Sequence, residues 1–362
     1  MSDEIKQKIN KWIRPRIRQL SAYHVPDPGN RIKLDAMENP YGWPQDLKHE
    51  WLSLLHDAPL NRYPDPAARE LNGRLRDVME IPDAAGVLLG NGSDEIIQMI
   101  LMALAHPERV VLAPEPTFVM YHMITEFCGM HYVNVPLKDD FQLDSVAMLA
   151  AIEAHQPAVV FLAYPNNPTG NLFDKEAIIR IIQASPGLVV VDEAYGAFSD
   201  ATFMGLLGSL DNLLLMRTLS KQGLAGLRLG LLTGPVEWIN EIDKVRLPYN
   251  INVLTQLSAR FALEHMDILD EQAQRIKDDR QTLMQQLAQL EGISVYPSAA
   301  NFILLRTAAG RASDLFSQLM DRGVLIKNLD SDGPLKDCLR ITVGTTEENQ
   351  LFLQAFRQVL EK

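Results

Sequence analysis

The chain has 362 residues, 47% of them hydrophobic, a mean hydropathy of −0.06 and a formal net charge of −12. That length allows a large core and suggests two domains, and the acidity argues against nucleic acid or an anionic membrane as a partner while leaving room for a local basic pocket. Cys128 and Cys338 lie too far apart in sequence to suggest a disulfide framework or a zinc motif, the histidines show no ligand spacing, and no metal site is read.

Met1–Leu20 is charged throughout and has no apolar secretory segment. No run approaches the ~18 apolar residues of a membrane span, so a cytoplasmic protein is expected. Seven short apolar runs then read as strands: Val87–Gly90, Arg109–Leu112, Tyr132–Pro136, Val159–Ala163, Leu188–Asp192, Leu213–Arg217 and Leu229–Thr233. Between them Ser93–Ala105, Leu143–His155 and Asp174–Ala184 read as helices, each starting near a Ser or Asp suited to cap it. Strands alternating with helices predict an α/β fold with a mostly parallel sheet covered on both faces. One long helical pattern runs from about Asn252 to Leu290. Ala300–Leu305, Val324–Lys327 and Leu339–Val343 follow as strands, with helices near Ser313–Asp321 and Glu347–Glu361. The expected organisation is an N-terminal segment 1–45 joining the small domain, a large domain 46–290 and a small α/β domain 291–362.

Five segments carry chemistry. Gly90-Asn91-Gly92-Ser93-Asp94-Glu95 follows a strand and opens a helix, where free N–H groups suit an anion; alone, it also reads as an ordinary helix start. Phe118, in Pro116-Thr117-Phe118, offers a stacking ring, although a lone phenylalanine usually belongs to a core. Asn167, in Tyr164-Pro165-Asn166-Asn167-Pro168-Thr169-Gly170, sits in turn chemistry common to many proteins. Asp192 ends an apolar strand, at the edge where open α/β sheets bind ligands, and Tyr195 follows it. Finally, Ser220-Lys221 stands in a glycine-containing turn seven residues before Arg228. A lysine amine, an acid, hydroxyl and amide donors, an anion site with an arginine, and an aromatic ring together match the needs of pyridoxal phosphate (PLP).

In their order and spacing these segments resemble the class I/II aminotransferases of PLP fold type I. That resemblance implies a large domain with a mostly parallel seven-stranded sheet between helices. Asp35-Ala36-Met37-Glu38-Asn39-Pro40-Tyr41-Gly42, Asn61-Arg62-Tyr63-Pro64-Asp65-Pro66, Arg217–Lys221, Ala225–Arg228 and Cys338–Thr345 are most similar to the histidinol-phosphate aminotransferase branch. By that resemblance Lys221 bonds the cofactor aldehyde and moves the proton. Asp192 pairs with the pyridine nitrogen, Tyr195 and Asn167 hold the phenolate oxygen, and Phe118 stacks on the ring. Ser93, Asp94, Ser220 and Arg228 hold the phosphate region, and Tyr63 reaches the phosphate of the other subunit of a homodimer. Tyr23, Asn39, Lys327 and Arg340 line the substrate site. The implied reaction is ping-pong transamination of L-histidinol phosphate with 2-oxoglutarate, giving imidazole-acetol phosphate and glutamate in histidine synthesis.

Two features depart from the branch. Many relatives have one more residue between lysine and arginine, where this chain has Gln222-Gly223. Many also have arginine where this chain has Lys327, which keeps the charge and loses the bidentate fork. A broad aromatic-amino-acid aminotransferase and a threonine-phosphate decarboxylase remain alternative enzymes. A ligand-binding regulator is disfavoured by the negative charge and by the short stretch before Asp35.

Overall fold

The structure, a computed structural model, describes residues 3–22 and 26–361. Its described strands are β1 (Ile32–Leu34), β2 (Ala85–Asn91), β3 (Val110–Glu115), β4 (His131–Pro136), β5 (Val159–Ala163), β6 (Leu188–Asp192), β7 (Leu213–Thr218), β8 (Leu229–Pro235), β9 (Ser294–Val295), β10 (Phe302–Arg306), β11 (Val324–Asn328) and β12 (Cys338–Thr342). All seven strands expected before residue 240 are present, with ends moved by a few residues. They form one sheet in the order β2-β8-β7-β6-β5-β3-β4. Neighbours are parallel except where β8 pairs with β7 and β2.

The period-2 alternation of side chains builds a core on each face of this sheet. On β5, Val160 and Leu162 enter one cluster while Val159, Phe161 and Ala163 enter the other. On β6, Val189 and Val191 join the first and Leu188 and Val190 the second. Strands buried on both faces read as unbroken apolar runs, which is why these two were legible in the sequence. The same alternation sends the first two residues past the apolar run to opposite sides. Asp192 continues the face of Val190, and Glu193 that of Val191.

The helix expected from Ser93 spans Gly92–Leu104, and neither Ser93 nor Asp94 caps it: Asn91 is the N-cap, with no side-chain capping bond. Helices Ser145–His155 and Lys175–Ala184 are capped as expected, Asp144 accepting from Ala147 N at 3.0 Å and Asp174 from Ala177 N at 2.7 Å. The long pattern after Asn252 is two helices, Val253–Glu264 and Met266–Leu287. His265 (φ −122°, ψ 41°) breaks the first while capping the second. Helices Asp3–Trp12, Gln45–His56, Arg69–Met79, Val119–Cys128 and Val236–Asp243 were not anticipated. Asp3–Trp12 buries no residue at all.

A second sheet, β1-β11-β12-β10-β9, is antiparallel except for the β1–β11 pair. Its β1 comes from the N-terminal segment, Leu34 lying beside Ile326. Helices Ala312–Asp321 and Thr346–Leu360 pack on it around Ile303, Leu339, Ile341, Phe352 and Phe356. The last helix carries a capping box between Thr345 and Glu348. The other face of β10 and β12 looks toward the large sheet, since Leu304 and Cys338 belong to its core. No helix among the described residues is long and apolar enough to cross a membrane.

Candidate active site

At the C-terminal ends of β5, β6 and β7 the chain leaves a cavity of about 570 Å³, its open mouth included. The position is the one where open α/β sheets bind ligands. Ser93, Asp94, Phe118, Asn167, Asp192, Tyr195, Ser220, Lys221 and Arg228 all line it. Met37, Ala163, Pro165, Ala194 and Thr218 complete the wall.

Asp192 ends β6 as a buried carboxylate. Its Oδ2 accepts from the Tyr121 hydroxyl at 2.7 Å and its Oδ1 from Ala194 N at 3.0 Å. Burial dominates and pushes it up to about 6, although both hydrogen bonds favour the charged form. A cationic partner in the cavity would restore its charge. The buried Tyr195 hydroxyl accepts from Asn167 Nδ2 at 3.1 Å, and burial raises its pKa. Two polar groups thus point together at one side of the cavity. Phe118 packs edge-on against Tyr121, 5.6 Å between ring centres.

Lys221 lies in a single 3-10 turn, Ser220–Gln222, just after β7. Its Nζ donates to the Ala36 carbonyl at 3.3 Å and stands 5.6 Å from the Tyr195 ring centre. Burial lowers it to about 8; Arg340 and Arg228 act the same way, against Glu38 and Asp94. At pH 7 about a tenth of it is therefore the free amine, the form that attacks an aldehyde or takes a proton.

The other end of the cavity is built for an anion. Ser93, second residue of its helix, has a buried hydroxyl with no hydrogen-bond partner among the described residues. Arg228, at φ +52°, donates to Asp94 Oδ2 at 3.2 Å. Its guanidinium also covers Gly92, where an added Cβ would lie 2.5 Å from Nη2. Gly92 itself has φ +79°, a backbone that favours glycine. From the neighbouring strand, a Cβ on Gly230 would meet Ser93 N at 2.9 Å. The Thr218 hydroxyl accepts from Ser220 N (3.1 Å) and lies 2.9 Å from Ser220 Oγ. A helix N-terminus, two hydroxyls and an arginine could hold a phosphate, and the orphaned Ser93 oxygen would suit a phosphate oxygen as its partner. The shorter Gln222-Gly223 turn does not withdraw Arg228 from it. Gly223 takes φ +111°, and Ala225–Leu227 makes a second 3-10 turn that returns the chain to Arg228.

Over the cavity runs the segment Asp35–Asn39. Three consecutive carbonyls bind three separate groups: Asp35 O accepts from Arg340 (3.1 Å), Ala36 O from Lys221, and Met37 O from Asn301 Nδ2 (3.0 Å). Met37 N donates to Thr342 Oγ1 at 2.9 Å. Arg340, on β12, also donates to Asn167 Oδ1 at 2.5 Å and lies over the Phe302 ring. It therefore stands directly behind a cavity residue. Lys327 is its register partner on β11 and shares its face, though it does not itself line the cavity. Asn39 is held by Gln272 (2.9 Å) and Tyr41 N (2.8 Å), likewise outside the wall. Tyr63 is 81% exposed, stacked on Tyr249 at 4.4 Å, and away from the cavity of its own chain. Tyr23 lies outside the described residues. Sequence reasoning missed Tyr121, Thr218 and Met37. All three stand inside recognised segments: Tyr121 three residues after Phe118, Thr218 two before Ser220, and Met37 within Asp35–Gly42.

Fold and cavity together define a PLP-dependent enzyme of fold type I. The chain belongs to the class I and II aminotransferases, whose family model matches residues 30–356. It is 57% identical over 353 residues to histidinol-phosphate aminotransferase 2 of Nitrosococcus oceani, covering 97% of this chain and 98% of that one. It is 50% identical to the histidinol-phosphate aminotransferase of Chromobacterium violaceum, covering 98% and 99%. The crystal structure of histidinol-phosphate aminotransferase from Sinorhizobium meliloti in complex with pyridoxal-5'-phosphate has the same fold, with a TM-score of 0.85 at 24% identity over 97% of this chain and 98% of that one.

Proposed function

We propose that the protein transfers the amino group of L-histidinol phosphate to 2-oxoglutarate, as a cytoplasmic enzyme of histidine synthesis. The observation that carries this is likeness over nearly the whole chain, at 57% identity, to a histidinol-phosphate aminotransferase. It is joined by a pair of cations, Arg340 and Lys327, on the face of the small sheet turned to the cavity.

Bound PLP supplies the electron sink for the reaction. The chain's residues do the rest. Lys221 holds the cofactor, and as free amine it moves the α-proton of the substrate, its lowered basicity suiting it to exchange protons near neutral pH. Asp192 would pair with the pyridine nitrogen and hold its proton. Tyr195 and Asn167 would bind the phenolate oxygen, Phe118 would cover the ring, and Ser93, Asp94, Ser220 and Arg228 would hold the phosphate. Arg340 pairs with the carboxylate of glutamate or the phosphate of histidinol phosphate, since a guanidinium fork suits both oxyanions. Lys327 adds a charge that the dianionic phosphate needs more, and Tyr23 and Asn39 complete the substrate pocket. The exposed Tyr63 serves the cofactor phosphate of a second copy in a homodimer.

The test is to incubate PLP-loaded protein separately with histidinol phosphate, phenylalanine and threonine phosphate, following loss of the lysine-bound cofactor's visible band together with CO₂. Fast conversion of histidinol phosphate without CO₂ is expected. Comparable rates with phenylalanine would favour a broad aromatic aminotransferase, and CO₂ from threonine phosphate a decarboxylase.

A further inference from the structure

Beyond the cofactor contacts, the chain contains a buried ion pair with no role in the scheme above. Glu193 is fully buried. Its Oε2 accepts from Arg217 Nε at 2.9 Å and Nη2 at 2.7 Å. Its Oε1 accepts from Phe203 N at 2.6 Å, and the Thr202 hydroxyl lies 2.9 Å from both oxygens. Arg217 Nη2 also donates to Thr202 Oγ1 at 2.9 Å. The Arg217 side chain is 19% exposed, so the pair sits at the edge of a cleft with one end closed.

Its place in the chain matters more than its strength. The β6–β7 ladder ends at the Asp192–Met216 pair, after which one backbone bond, Glu193 N to Met216 O (2.8 Å), joins the two strands. Asp192 immediately precedes Glu193. Arg217 immediately precedes Thr218, whose hydroxyl fixes the Ser220 amide at the start of the Lys221 turn. Strand alternation turns Glu193 and Arg217 away from the cavity while Asp192 and Lys221 line it. The ion pair is therefore a side-chain clamp where the ladder stops, tying the end bearing the acid to the end bearing the lysine. Replacing a buried pair by apolar groups of similar size is often neutral for stability, so stability alone gives little reason for one here. Fixed geometry gives a better one, because a displacement of about 1 Å at a reacting group can cost ~10²-fold in rate.

We infer that Glu193 and Arg217 are positioning residues that hold Lys221 at a set place relative to Asp192 without touching cofactor or substrate. The inference rests on the reading of Lys221 and Asp192 as PLP ligands, and leaves the identity of the amino donor open. Glu193→Gln keeps an acceptor for Phe203 N and Thr202 but loses the charge pair. Arg217→Lys keeps the charge but loses the fork.

The test compares both variants with the parent enzyme, using whichever amino donor the parent accepts. Turnover per bound cofactor is expected to fall about 10- to 100-fold in each, with KM within about twofold. A second readout needs no turnover. In the apoprotein, Lys221 labelling by an amine-acylating reagent is followed against pH by peptide mass analysis. The parent's midpoint should lie near the lowered value of about 8, set by burial, Arg340, Arg228, Glu38 and Asp94. Both variants should shift it upward, toward an ordinary lysine, as the turn loosens. A merely structural pair would lower the urea midpoint and leave both the labelling midpoint and the turnover per bound cofactor at parent values; that result would overturn the inference. So would parent turnover in Arg217→Lys. Should a single variant not fold, Glu193→Gln combined with Arg217→Met leaves no charge uncompensated, and the same upward shift is required of it. A parent without transaminase activity would refute the functional proposal, while the labelling midpoints would still decide the clamp.

Discussion

Replacing Asp192 by asparagine should stabilise the protein without cofactor while destroying its function. Burial raises Asp192 from 3.8 to about 6, a shift of about 2 units, or about 3 kcal/mol. The sign follows from proton linkage. Below about pH 4 the folded and unfolded chains are both protonated here, and the folded state's preference for the neutral acid is fully present. Between about 4 and 6 the unfolded chain releases the proton while the folded apoprotein keeps it, so stability falls with rising pH. Above 6 the folded apoprotein carries a buried charge, and the contribution is gone. Asparagine stays neutral, can keep the Ala194 N–H bond through Oδ1, and faces the Tyr121 oxygen with its amide. The variant apoprotein should then exceed the parent by up to about 3 kcal/mol at pH 7 and match it most closely near pH 4.5. PLP should reverse the order, because a pyridinium compensates the parent's carboxylate and finds no charge in the variant. Urea unfolding of both apoproteins from pH 4.5 to 7.5, with and without PLP, measures this. A stability difference independent of pH, or a less stable variant apoprotein at pH 7, would refute the reasoning that burial dominates at this carboxylate.

Other consequences are as direct. Lys221 is lowered to about 8, so the rate at which apoprotein captures PLP, read from the visible band, should climb with pH to about 8 and then level; a rise continuing past pH 10 would mean an exposed lysine. Borohydride should fix PLP on Lys221, and Lys221→Ala should capture none covalently and lose turnover. Mixing Lys221→Ala with Tyr63→Phe should yield hybrid dimers with one intact site and more activity than either parent variant, whereas no recovery despite verified subunit exchange would place Tyr63's action in its own chain. Arg340→Ala should lower kcat/KM for both half-reactions by about tenfold or more, and Lys327→Ala should harm the histidinol-phosphate half-reaction more than the glutamate one; equal small losses would remove Lys327 from the phosphate site.

What was legible in the sequence is what local chemistry decides. β5 and β6 are buried on both faces, so Val159–Ala163 and Leu188–Asp192 show as unbroken apolar runs, and Asp192 at the end of the second marks the sheet edge where ligands bind. Lys221, Asp192 and Asn167 were recognisable because motif spacing encodes which strand ends meet. The helix Asp3–Trp12 was missed although Ile5, Ile9 and Trp12 recur at helical spacing, and within this chain that stripe stays exposed. The split at His265 was also hidden, since the apolar period continues across it, from Ser258 and Ala262 to Leu269 and Ala273.

Tertiary structure alone decided the rest. No spacing rule brings Ala36 O to Lys221 or Asp35 O to Arg340, contacts spanning 185 and 305 residues. Whether the carboxylate at 192 is charged depends on how deeply the surrounding helices bury it against two hydrogen bonds. The fate of Glu193 was equally undetermined, because an acid one step past Asp192 gains a meaning only when β7 lies beside β6 and supplies Arg217. Sequence carries side-chain chemistry and the direction in which each successive residue points; distance, desolvation and the partner across a strand gap exist only once the chain has folded.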